Sequence, residues 1–260
     1  MFGGAPARGL RLSCSVLALA ACQSTPDAPP EIRPAEELYA EGLETLEGRT
    51  ILGVKWVDHA EAIELFQGVV DNYPYSDLSV LASLKIADAY FDEHKWDEAL
   101  SYYRDFADLH PSHEKVPYAI YHAALCHERQ SLGPLRDQAE TRDAIGYLDK
   151  LLLHHKDSEY AAPALELWTK LRKRLARQQM GIGDFYRARG DYESAVSRYR
   201  IVLNEYPGLG YDADVLYRLG ESYWQMNRKG EAERIFQAIL QNYRDTNEAA
   251  KAARRVAELR

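Results

Sequence analysis

An alanine with the same kind of neighbours recurs five times along the chain. Successive copies are 37, 45, 51 and 37 residues apart. An aromatic residue, or leucine in the third copy, follows four positions later on the same helical face. A unit of this length cannot bury its apolar stripe alone, so the units must stack, which predicts a solenoid with binding grooves rather than an enclosed active site. The alanines are Ala62, Ala99, Ala144, Ala195 and Ala232.

The unit is similar to the tetratricopeptide repeat, a pair of antiparallel helices about 34 residues long. We therefore predict an all-α superhelical solenoid of five helix pairs, closed by a capping helix over about residues 247–260. Gly183, Gly220 and the repeated alanines are expected where the two helices of a unit approach closely. The 14 extra residues before Ala195 continue a helical pattern, which predicts one lengthened helix.

The first 21 residues have a different pattern from the repeats. Two arginines without an acid precede an apolar run over residues 12–21, and Cys22 follows Leu-Ala-Ala. This order resembles a bacterial lipoprotein signal, in which the cysteine becomes the acylated first residue. An ordinary secretory signal with a chance cysteine is the alternative. The predicted organisation is a signal peptide at 1–21, lipidated Cys22 with a proline-rich tether at 22–34, and a repeat domain at 35–260.

Charge is unevenly distributed along a chain whose net charge is −8. Residues 35–115 carry 18 acidic and 6 basic side chains, whereas residues 165–204 carry 4 acidic and 9 basic ones. A solvated helix face explains much of a run such as 170–177. An acidic protein partner is the functional interpretation of the basic segment, because an exported acidic protein meets little nucleic acid.

The sequence lacks the local motifs of an enzyme. It has no nucleophile elbow, no glycine-rich phosphate loop and no two pairs of histidines or cysteines at zinc-site spacing. The nearest constellation is His122, Cys126 and His127 on one predicted helix, without a second pair. We expect no catalysis, no cofactor and no metal site.

The order of these features resembles the BamD/ComL family of outer-membrane assembly lipoproteins. The resemblance covers nearly the whole mature chain and rests on the cysteine motif, the five repeats and three local stretches. Residues 49–58 depart from it, since they lengthen the first turn, and the last unit is closer to an ordinary consensus repeat. The three stretches are DNYP at 71–74, HPSH at 110–113 and RDQ at 136–138.

The resemblance implies a non-catalytic scaffold, lipid-anchored on the periplasmic face of the outer membrane. Members of the family dock on the POTRA domains of the barrel protein BamA, beside other lipoproteins of the assembly complex, and help insert unfolded barrel chains. A basic residue in the second helix of the fourth repeat faces an acid on BamA, and Arg198 corresponds to it. Arg187 and Arg189 lie in the same basic segment and are further candidates for partner contacts.

The family also recognises a C-terminal signal of barrel chains, an extended segment that ends in an aromatic residue. Candidate groove positions on the first helices of the repeats are apolar or aromatic, which suits such a segment. Core between the repeats is the alternative for each of them. The candidates are Leu84, Phe91, Tyr121, Tyr217 and Trp224.

A second function remains open on the sequence alone. The final unit, residues 211–259, also resembles that of CpoB, a periplasmic coordinator of cell-envelope division, and a secretin pilotin is a further repeat-protein alternative. CpoB-like chains begin with a coiled coil and lack the cysteine motif, and pilotin-like chains usually lack the middle insertions. The assembly scaffold is therefore the preferred hypothesis.

The anchor prediction is tested by Cys22→Ser. We expect this variant to be released from the membrane or left uncleaved, because acyl chains contribute about 0.8 kcal/mol per buried methylene and the tether offers no apolar surface. Intact-mass measurement of the purified chain reads the modification directly. Cys14→Ser is the matched control and should keep it. A mature wild-type chain without acyl groups would contradict the anchor and favour the envelope-coordinator alternative.

Overall fold

A computed structural model describes Met1 and residues 32–51 and 54–258, and the described residues from Pro34 onward form one compact unit. The predicted signal peptide after Met1, Cys22 and the tether up to residue 31 lie outside the described residues. The described part contains eleven α-helices and one β-hairpin. The helices are α1 (Ala35–Glu47), α2 (His59–Asn72), α3 (Asp77–Asp92), α4 (Trp96–Leu109), α5 (Val116–Gln130), α6 (Ala139–His154), α7 (Ala161–Ala188), α8 (Tyr192–Glu205), α9 (Asp212–Gln225), α10 (Lys229–Asn242) and α11 (Asn247–Glu258).

The helices form five antiparallel pairs, α1–α2 to α9–α10, and α11 packs on the last pair. This confirms the predicted solenoid with its capping helix. The lengthened helix is also confirmed, since α7 has 28 residues. None of the helices in the described part is long and apolar enough to cross a membrane.

Local sequence sets where the helices begin and turn. Asp58 and Asp191 cap α2 and α8 by accepting a hydrogen bond from the backbone N–H three positions on. Within the second, fourth and fifth pairs, the residue five positions before the repeated alanine adopts a left-handed conformation. These residues are His94 at φ 62°, Gly190 at φ 79° and Asn227 at φ 60°. The same turn therefore recurs with three different residue types.

The two helices of a pair touch where a small residue meets an aromatic ring. All five repeated alanines are fully buried. A Cβ atom added to Gly220 would lie 2.6 Å from the ring of Phe236, and one added to Gly183 would lie 2.6 Å from the ring of Tyr199. Both rings are fully buried, so the prediction that these glycines mark the close approach is confirmed.

The loop at residues 49–58 contains a feature that the sequence did not reveal. Strands β1 (Arg49–Ile51) and β2 (Val54–Trp56) pair antiparallel, with Arg49 opposite Trp56. Gly48 turns the chain out of α1 at φ 73°, and the Trp56 side chain is 68% exposed. The all-α prediction therefore needs one correction, a short hairpin within the first pair.

The insertion between α5 and α6 is organised by one buried amide. Gln138 is fully buried, and its Nε2 donates to the carbonyl oxygens of Gly133 at 2.8 Å and Asp137 at 3.0 Å. The Thr141 hydroxyl donates to Gln138 Oε1 at 2.9 Å. Because every polar atom of the amide is bonded, its burial carries no unpaired group, and the start of α6 is fixed relative to the loop.

Gly220→Ala tests the close approach within a pair, with Gly146→Ala as its control. A Cβ atom on Gly146 in α6 would meet nothing within 4 Å. Both substitutions gain the same helix propensity, so the difference between their free energies of unfolding isolates the cost of overpacking against Phe236, about 1–3 kcal/mol. Urea unfolding followed by circular dichroism measures it. Equal values would show that the Phe236 ring yields freely.

Candidate functional site

Rings from two successive first helices and the start of a third form a continuous surface, here called the aromatic cluster. Its members are Phe91 on α3, Tyr118, Tyr121 and His122 on α5, and Tyr160, which precedes α7. Ring centroids are 5.4 Å apart for Phe91 and His122, 4.2 Å for Tyr118 and His122, and 5.7 Å for Tyr121 and Tyr160. Tilted and edge-on contacts of this kind hold the rings in a fixed arrangement.

Asp88 connects the aromatic cluster to the neighbouring helices. Its carboxylate accepts hydrogen bonds from the hydroxyls of Tyr103, at 2.8 Å, and of Tyr118. It also forms an ion pair with Lys85 at 3.0 Å. Burial, reinforced by the charge of Asp88, raises the pKa of both tyrosines. The two hydroxyls therefore remain protonated donors at neutral pH, and one carboxylate joins α3, α4 and α5.

His122 acts in this cluster as a neutral aromatic ring. Burial lowers its pKa, although the charges of Asp88 and Asp92 oppose the shift. Its Nδ1 is buried without a hydrogen-bond partner in the described structure. An uncharged imidazole is the form that tolerates such a site, so His122 presents an apolar face to the neighbouring rings.

The structure brings together only two of the five predicted groove residues. Phe91 and Tyr121 belong to the aromatic cluster, where both are half-buried. Leu84 is 2% exposed and lies in the core between the second and third pairs, so its placement in a groove is wrong. Helical periodicity gave the side of the helix on which Leu84 lies but not how deeply it is buried, because the pattern does not say which other elements pack over that side.

Tyr217 and Trp224 lie apart from the cluster, against the capping helix. The Lys251 ammonium is 5.5 Å from the ring centroid of Tyr217, and the Arg255 guanidinium is 5.2 Å from that of Trp224. Arg255 also makes two hydrogen bonds of 2.7 Å to Glu221. Charged groups from α11 thus cover faces of both rings, which leaves less apolar surface than in the aromatic cluster.

Three members of the cluster were missed from the sequence, namely Tyr118, His122 and Tyr160. The spacing of Tyr118, Tyr121 and His122 at i, i+3 and i+4 is the signal that could have found two of them. Tyr160 carries no such signal, because it stands outside a helix and meets Tyr121 only through tertiary packing.

The predicted partner-binding arginines lie at the end of α7, in the α7–α8 turn and on α8. Arg198 is half-buried on α8 and donates to Gln179 Oε1 at 3.2 Å, with no carboxylate partner in the described structure. The Arg187 guanidinium is 3.7 Å from Asp184. Arg189 lies 5.4 Å above the ring of Phe185, which is 56% exposed. The α7–α8 pair therefore carries both a cation without an acidic partner in the described structure and an exposed aromatic ring.

The basic run on α7 is largely used within the fold. Lys170 forms an ion pair of 2.8 Å with Glu128 on α5. The Arg172 guanidinium lies over the rings of Trp168, at 4.5 Å, and Tyr206, at 5.4 Å. These contacts tie α7 to α5 of the third pair and to Tyr206 after α8, so Lys170 and Arg172 are weaker candidates for partner contacts than Arg198.

The fold separates the side chains of His122, Cys126 and His127, the nearest approach to a metal site in the sequence. Cys126 is fully buried, and burial raises the pKa of its thiol to about 12. His122 belongs to the aromatic cluster, whereas His127 faces α6, where it meets Glu140. The three side chains do not converge on one point.

Comparison with known proteins gives the family of the chain. A family model described as YfiO, outer membrane lipoprotein, matches residues 32–237. The chain belongs to the YfiO family. It is 28% identical over 237 residues to the outer membrane protein assembly factor BamD of Caulobacter vibrioides, covering 90% of this chain and 75% of that one. It is 27% identical over 231 residues to BamD of Vibrio cholerae, covering 85% and 92%.

Solved structures with a similar course of the chain are repeat proteins. The TPR2AB domain of yeast Sti1 in its Hsp90 complex has a TM-score of 0.47 at 16% identity, covering 86% of this chain and 82% of that one. The TPR domain of P58(IPK) has a TM-score of 0.44 at 15% identity, covering 86% and 55%. The YfiO match itself spans both the aromatic cluster and Arg198, so the resemblance drawn from the sequence motifs is confirmed at the level of the family.

Proposed function

We propose that this YfiO-family chain is a non-catalytic assembly factor for outer membrane proteins, held by a lipid anchor on the periplasmic face of the outer membrane. The observation that carries the proposal is the family match over residues 32–237. The relatives of the chain in Caulobacter and Vibrio are named outer membrane protein assembly factors. A rigid stack of helix pairs with two separate candidate surfaces suits a scaffold. The envelope-coordinator and pilotin alternatives are not favoured by these relatives.

Partner docking is assigned to the region of Arg198, with a POTRA domain of a BamA-like barrel protein as the proposed partner. Among the residues that the structure describes, Arg198 bonds only to the neutral amide of Gln179, so its charge is available to a carboxylate. Its half-buried position lowers the dielectric around such a pair. Arg187 and Arg189 extend the same positive region. Other lipoproteins of the complex are further proposed partners.

Arg198→Glu should weaken capture of the BamA-like protein from solubilised membranes by orders of magnitude. Reversing one charge of a desolvated pair removes the attraction and adds repulsion, at a cost of about 2–5 kcal/mol for truncation alone. Arg234→Glu on α10 makes the same change in net charge at an exposed position and should leave capture unchanged. Undiminished capture by a folded Arg198→Glu variant would contradict this contact, whereas a loss in both variants would indicate a general effect of charge.

The aromatic cluster is proposed to bind the aromatic-ended segment of an unfolded barrel chain. Phe91 and Tyr121 offer half-buried ring faces, and the contacts beneath them are completed by Asp88 and its tyrosines. A ring that enters such a surface gains edge and face contacts without reorganising it. The cluster thus supplies apolar contact and shape, and the extended backbone of the segment lies along the first helices.

Tyr121→Ala should weaken binding of a peptide with a C-terminal aromatic residue about tenfold, which corresponds to about 1.4 kcal/mol. Tyr217→Ala removes the same side chain from the fifth pair and is the matched control. Fluorescence anisotropy of a labelled peptide measures both. A loss confined to Tyr217→Ala would move the site to the fifth pair, and this outcome is independent of whether Arg198 contacts a partner.

A further inference from the structure

The geometry points to a site for a divalent transition-metal ion, Zn²⁺ in its chemistry, between α5 and α6, with His127, Glu140 and Asp143 as ligands. Each of the three side chains offers one ligand atom, and these atoms all lie within 4.8 Å of one another. The site is distinct from the aromatic cluster and from the region of Arg198. It does not depend on the proposed function.

Two helices and the ordered insertion place the three ligands. His127 stands in the last turn of α5, and Glu140 and Asp143 are three positions apart on α6, so both carboxylates lie on one face of that helix. The insertion that joins the helices is fixed by the buried amide of Gln138 and its bond from Thr141. Ligands on helices whose connection is rigid need little reorganisation to close on an ion.

No lysine or arginine of the described residues balances the charge at this point. Neither Glu140 nor Asp143 has a lysine or arginine within ion-pair distance in the described structure, and Asp143 has no hydrogen-bond partner there. Within the described residues, the one hydrogen-bond partner of Glu140 Oε2 is His127 Nδ1, at 2.7 Å. The N-terminus of α6 supplies about half an elementary charge, which offsets only part of two carboxylates. A divalent cation would neutralise both and accept the imidazole nitrogen as a third ligand.

The ligand set selects the class of ion. One imidazole nitrogen and two carboxylate oxygens suit Zn²⁺, with water as a fourth ligand, whereas Ca²⁺ and Mg²⁺ prefer oxygen ligands alone. The ring of His127 packs 5.5 Å from that of Tyr147 at an interplanar angle of 30°, which restricts its rotation. Small shifts that open the contact between Nδ1 and Oε2 would admit the ion. Bound there, it would clamp the end of α5 to the start of α6.

Calorimetric titration of Zn²⁺ into the tag-free full-length protein, stripped of metal and held in detergent, tests the site. We expect one equivalent to bind and to raise the melting temperature, and Co²⁺ to give the visible absorption of a tetrahedral centre. Asp143→Asn and His127→Gln should each lower the affinity about tenfold or more. Asp143 is exposed, so its substitution should leave the fold intact.

His154→Gln is the matched control, since it removes an exposed histidine of the same helix outside the ligand set. It should bind Zn²⁺ as the wild type does. Absence of saturable binding by the wild type would overturn the site, as would full affinity in Asp143→Asn and His127→Gln. Loss of binding in His154→Gln alone would place the ion at the neighbouring His154–His155 pair and likewise overturn it.

Discussion

The close contact between a small residue and an aromatic ring, present within the first, fourth and fifth helix pairs, is the constraint on which the rest of the structure depends. At Gly220 and Phe236 the ring lies where a side chain would otherwise stand. Such a crossing lets the two helices share one apolar layer, and the layer is completed only when the next pair covers it. Repetition of this contact along the chain therefore produces the solenoid, and the solenoid in turn fixes which side chains remain at the surface.

A second, polar contact joins most neighbouring pairs. An acid on the first helix of one pair meets a donor on the first helix of the next pair, or on the capping helix after the last pair. Three of the four are partly buried, so these bonds are stronger than exposed ion pairs, although desolvation reduces their net contribution. Lys170 is 60% exposed, and its bond to Glu128 contributes less. These bonds set the register of stacking that apolar contacts alone leave loose. They are Asp88 with Tyr118, Glu128 with Lys170, Asp184 with Arg218 and Glu221 with Arg255.

Periodicity predicted the helix pairs, the long α7, the cap and the crossing glycines, because each depends on residues close in sequence. Periodicity cannot predict how deeply a side chain is buried or which residues of other elements it contacts. Leu84 was assigned to a groove because the pattern gives a helix face without saying what covers it. Tyr160 joins the aromatic cluster from outside any helix, and the carboxylates that meet His127 stand beyond an insertion. The hairpin at Arg49–Trp56 has strands of three residues, too short for an alternating pattern to be recognised.

Helix α7 carries two cores. Leu167 and Leu171 belong to the apolar layer of the preceding pairs, and Ala176 and Met180 to that of the following ones. Its 28 residues span about 42 Å. Tyr160 stands at its beginning, and Gln179, about two thirds of the way along it, accepts a hydrogen bond from Arg198. A continuous helix bends less than a loop does. We therefore expect a displacement of Gln179 to move the whole of α7, and Tyr160 with it. The aromatic cluster and the region of Arg198 are thereby mechanically coupled through a single helix.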